Sequence, residues 1–97
     1  MNITVTGPRG GAMPFERSYF IKEATEFFAK SLGINRLKTK INVLVHEQLL
    51  IDGDTMGYCE AKSEREFDIS LCSWGNWLSV LAHEMVHVRQ FARGELD

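Results

Sequence analysis

The sequence predicts an α+β domain in which an N-terminal helix and a small mixed or antiparallel sheet pack on a C-terminal helix. Three observations carry that expectation. Apolar residues recur at three- and four-residue spacing over 14–32 and 75–93, they alternate with other residues over 41–46 and 67–71, and turn-forming residues separate these stretches. A chain of 97 residues forms one domain, 1–97.

The first element expected is a short strand over 3–6, followed by a connector at Gly7-Pro8-Arg9-Gly10-Gly11. That connector has neither the Lys-Ser/Thr ending of a phosphate-binding loop nor a GxGxxG pattern. A helix then runs from Pro14 or Phe15 to Leu32. Phe20, Ala24, Phe27, Phe28 and Ser31 form its expected core stripe, with Ile21 and Leu32 beside them. Glu16 near its start and Lys30 near its end suit the helix dipole, and Gly33 supplies a stop.

Ile41, Val43 and Val45 alternate with Asn42, Leu44 and His46, the pattern of a strand with one buried face. The stretch 51–57 is rich in turn residues and contains Asp52-Gly53. Two short strands, 58–61 and 67–71, are expected around the charged turn Lys62-Ser63-Glu64-Arg65, as an antiparallel meander. Phe67, Ile69 and Leu71 share one face, with Asp68 and Ser70 on the other. In the last helix, Leu78, Leu81, Ala82, Met85, Val88 and Ala92 fall on one broad apolar face. His83, Glu84 and His87 fall opposite, flanked by Val80 and Phe91, and Gly94 ends the helix.

Bulk properties narrow the function classes. The net charge is −2, with basic and acidic residues interspersed, so no stripe of Lys and Arg supports a nucleic-acid partner. No stretch approaches the ~20 apolar residues that span a bilayer. The start, MNITVTGPRG, lacks the basic and apolar regions of a secretory signal. A cytoplasmic protein with Cys59 and Cys72 as free thiols, and no membrane association, is the expectation.

His83-Glu84-Met85-Val86-His87 carries the chemistry. Two imidazoles at i and i+4 lie on one helical face, one turn apart, where both can approach a single metal. Neutral imidazole suits Zn2+, which takes nitrogen ligands tetrahedrally and keeps an open position for water in catalytic sites. Glu84, directly after the first ligand, is placed to reach that water as a general base. The expected function is therefore zinc-dependent hydrolysis of a peptide or protein substrate. The alternative is a non-enzymatic interaction module that keeps the scaffold with an incomplete metal site. His46, Tyr58, Val80 and Phe91 are candidates for the rim of the cleft.

Residues 81–96 resemble the active-site helix of small HExxH zinc metallopeptidases of phage and bacterial type, similar in layout to SprT-like and minimal gluzincin proteins. The resemblance implies a zincin-like fold with His83 and His87 as metal ligands and Glu84 as general base. It also locates where this chain departs from the pattern. Metzincins carry a Gly where Gln90 stands and a third ligand where Arg93 stands. Gluzincins take a Glu from a further helix, and ten residues after His87 are too few to build one. Glu95 and Asp97 are the in-chain carboxylates that could serve, but Glu95 lies about 12 Å beyond His87 along a continuous helix. The resemblance thus implies a domain lacking a C-terminal part of the family layout, or a site completed by a second chain in a homo-oligomer or by substrate.

Overall fold

The computed structural model describes residues 1–7, 14–46, 57–72 and 76–94. Its elements run β1 (Asn2–Thr6), α1 (Phe15–Ser31), β2 (Lys40–His46), β3 (Gly57–Ser63), β4 (Glu66–Cys72) and α2 (Trp77–Ala92). The connector 8–11, the Asp52-Gly53 turn, the helix start at Gly75, and Glu95 and Asp97 lie outside the described residues. Helices and strands share one fold, so the α+β expectation stands. Among the described residues, no helix is long and apolar enough to cross a membrane.

The strands form one sheet in the order β1-β2-β4-β3. β1 pairs with β2 and β2 with β4 in parallel, and only β3 and β4 are antiparallel. The sheet is therefore mixed, one of the two expected forms; the antiparallel pairing of 58–61 with 67–71 is present, but β2 lies beside β4 in parallel, so the strands do not follow one another as a meander. Alternation sets which side chains face inward. Ile3, Ile41, Val43, Val45, Phe67, Ile69 and Leu71 line one face, and Ile21, Ala29, Leu81, Met85 and Val88 from the two helices join them in one core. Both helices thus cover the same side of the sheet, α1 against β1 and α2 against β3 and β4. This is a two-layer arrangement.

The packing face of α1 keeps part of the expected stripe, with Ala24, Phe28 and Leu32 packed against the core. Ile21, Thr25 and Ala29 are buried, whereas Phe20 and Phe27 are each 64% exposed. Small side chains bring the helix close to its neighbours, and Thr25 satisfies its buried hydroxyl by donating to the Ile21 carbonyl at 2.8 Å. At its end, Ile34 N–H donates to the Ala29 carbonyl and Gly33 N–H to that of Lys30, with Gly33 at φ 74°. That is the Schellman pattern, which a glycine accommodates without the Cβ penalty of the left-handed region. Arg93 Nη2 donates to the Gly33 carbonyl at 3.2 Å, tying the end of α2 to the end of α1.

The other face of the sheet is polar. Asn42 is its hub: Nδ2 donates to Glu66 Oε2 at 2.9 Å and to Asp68 Oδ1 at 2.8 Å, while Oδ1 accepts from Thr4 Oγ1 at 2.8 Å. Lys62 Nζ stands 3.2 Å from Asp68 Oδ2, and this contact raises the lysine pKa above its ordinary value. These bonds satisfy Asp68, a buried carboxylate on a central strand.

Candidate functional site

α2 places the two histidines on the margin between its packed face and solvent. Leu81, Met85 and Val88 are fully buried beneath it, His83 is exposed and His87 half-buried. Leu78, expected in the apolar face, is instead 48% exposed in the first turn. The imidazole rings meet edge to face with centroids 4.8 Å apart, and their Nε2 atoms are separated by 3.2 Å. His87 Nδ1 lies 3.0 Å from Gln90 Oε1. An amide oxygen can only accept, so this contact assigns the His87 proton to Nδ1 and leaves Nε2 with its lone pair. Gln90 was not singled out from the sequence, although its i+3 spacing from His87 carries the signal.

The pair's separation bears directly on whether it suits a metal. Two nitrogens each 2.0–2.1 Å from one zinc ion in tetrahedral geometry stand about 3.3 Å apart. The observed 3.2 Å matches that span, and a hydrogen-bonded second nitrogen is the usual companion of a ligating histidine. The two imidazoles therefore fit two coordination positions.

Beyond the pair, the ligand set stops. Among the described residues, no group of three or more His, Cys, Asp or Glu side chains is placed to hold a metal ion. The expectation of zinc-dependent peptide hydrolysis, with Glu84 activating a metal-bound water, is corrected on this finding, because catalytic zinc sites rest on three protein ligands. The proposed third ligands, Glu95 and Asp97, lie outside the described residues.

Glu84 also sits differently from its expected place beside the histidines on the open side. It is 6% exposed, rotated toward β3. It lines an open groove of about 350 Å³ with Gly57, Ser79, Val80 and His83. At the groove wall Gly57 lets β3 lie close to α2: a Cβ there would stand 2.5 Å from Val80 Cγ1 and 2.8 Å from the Ser70 carbonyl oxygen. Next along β3, Cys59 turns the same way. Burial pushes its thiol pKa up to about 12, helped by the negative charges of Glu84 and then Asp68. Neither Cys59 nor Cys72 is in a disulfide. A neutral thiol is a poor nucleophile, so Cys59 is chemically quiet at neutral pH.

Val80 lines the groove. Phe91 lines an adjoining depression with Ala61, Ser63, Glu64 and Phe67, its ring centroid 6.2 Å from that of Phe67. His46 and Tyr58 are placed elsewhere. His46 alternates with the inward-facing Val45 and stands level with Cys72, while Tyr58 stands level with Ser70, so both project from the sheet face away from α2. Neither lines the groove. His46 Nε2 is buried there without a hydrogen-bond partner among the described residues.

No known protein family, curated protein or solved structure matches this chain.

Proposed function

We propose that the chain binds a divalent transition-metal ion, with zinc the best fit, through Nε2 of His83 and His87. The observation that carries this reading is the 3.2 Å separation of the two Nε2 atoms, close to the span of about 3.3 Å between two nitrogen ligands on one tetrahedral ion. Gln90 supports it by holding the His87 proton on the far ring nitrogen. Glu84 adds a negative charge beside the pair, in the groove that it shares with His83, which favours a cation there. Imidazole ligands suit zinc, copper, nickel and iron, whereas calcium and magnesium prefer oxygen, so selectivity against the latter two is part of the proposal.

Isothermal titration calorimetry with Zn2+ and Mg2+ tests it, alongside the visible spectrum of added Co2+. Saturable zinc binding, lost in both His83→Ala and His87→Ala and not reproduced by Mg2+, is the expected result. Undiminished binding in the double variant, or none in the wild type near neutral pH, overturns it.

A further inference from the structure

The geometry points to a second copy of this chain as the source of the remaining ligands: two chains would hold one ion between them, each contributing His83 and His87. The inference rests on the metal-binding reading above and adds the partner.

Two independent features of α2 lead to it. The first is the shape of the half-site. Two imidazoles at a near-tetrahedral separation occupy two of four positions and leave the other two directed away from their own helix. A two-fold axis through the ion brings an identical pair into those positions and closes the tetrahedron, the simplest isologous arrangement for a homodimer.

The second is the composition around the pair. Asn76, Ser79, His83, Val86, His87 and Gln90 form the strip of α2 that turns away from the core, and none carries a fixed charge; the exposed Arg93, at the C-terminal edge of the strip, reaches away to the Gly33 carbonyl. In a chain that is 25% charged, an outward helix face would ordinarily hold Lys, Arg, Glu or Asp. Val86 is 40% exposed and Phe91, at its margin, is 43% exposed. Depletion of charge with apolar side chains at the centre is the composition of a buried interface core. A second α2 crossing this strip around His83, Val86 and His87 meets uncharged side chains there, with Arg93 at the edge.

The histidine protons limit the arrangement. His87 keeps its proton on Nδ1 against Gln90, so its Nε2 lone pair is available. In a single metal-free chain, His83 can donate from Nε2 to His87 across the 3.2 Å gap. Binding requires the His83 proton to move to its Nδ1, an exchange with solvent that costs no net charge.

The test is sedimentation equilibrium of the full chain with graded zinc, combined with calorimetric stoichiometry. The expected result is half an ion per chain and a mass that doubles from that of the 11.1 kDa chain, reversed by a chelator. Val86→Lys, a substitution at an exposed position, should weaken zinc-driven doubling at least tenfold by placing like charges across the axis, while its thermal melt without zinc stays at the wild-type temperature. One ion per monomeric chain, still dependent on both histidines, overturns this inference and leaves the metal-binding reading intact. Loss of histidine-dependent binding altogether sinks both.

Discussion

Gln90 Oε1 stands 3.0 Å from His87 Nδ1, one turn of helix beyond the histidine pair, and it fixes which nitrogen of His87 faces His83. Replacing Gln90 with Leu removes that acceptor and frees the ring to change tautomer. Zinc affinity should fall about 10- to 100-fold, the usual effect of losing such a partner. Gln90→Glu keeps an acceptor and should bind at least as tightly as the wild type. Calorimetry measures both, and nitrogen chemical shifts report the tautomer.

Cys59 yields a prediction with a defined sign. Its thiol pKa is raised from 9.0 to about 12, first by burial and then by Glu84 and Asp68. Below pH 9.0 folded and unfolded chains both keep the proton, so this group contributes its full stabilisation. As the pH rises toward about 12, the unfolded chain loses the proton first and stability declines. The urea midpoint should therefore drop between about pH 8 and pH 10.5, and drop less in Cys59→Ala. Glu84→Gln removes one of the charges that raise the pKa, so iodoacetamide should alkylate Cys59 faster in that variant at any given pH.

Gly57 is a position where β3 and α2 lie in close contact. In Gly57→Ala the new methyl meets Val80 Cγ1 and the backbone oxygen of Ser70, and the backbone cannot swing aside. Overpacking of this kind costs about 1–3 kcal/mol. Chemical denaturation should show the loss, and Val80→Ala in the same chain should recover part of it.

Asn42 joins Thr4 on one side to Glu66 and Asp68 on the other. Asn42→Ala leaves two carboxylates without their shared donor, one of them on a buried residue, and should destabilise the fold by about 1–3 kcal/mol. Thr4→Val removes one exposed bond and should cost less than about 1 kcal/mol. Comparing the two denaturation curves checks that ordering.

Local order was readable from residue spacing and pairing was not. The alternation of Ile41, Val43 and Val45, and of Phe67, Ile69 and Leu71, identified two strands and their inner faces. Which strands lie side by side depends on contacts distant in sequence: β1 meets β2 across α1, and β4 meets β2 across β3. A reading from neighbour to neighbour therefore favoured a meander. In α1 the expected stripe was right for Ala24 and Phe28 and wrong for Phe20 and Phe27, because Thr25 and Ala29 mark the closest approach and leave those two rings outside. At the site, the i, i+4 spacing identified the histidine pair. The burial of Glu84 was less visible, since it depends on β3 lying across one flank of α2 and not the other.

The placement of β4 bears on how the chain comes off the ribosome. Of the described strands it is the last in the sequence, yet it lies between β2 and β3. Until residues 66–72 emerge, the hydrogen-bonding edge of β2 that they will cover is open, and β3 has no partner strand. Such an edge is a template for pairing with other chains. Synthesis halted before β4 would leave a sticky fragment rather than a smaller native one, so this protein's vulnerable moment comes during translation.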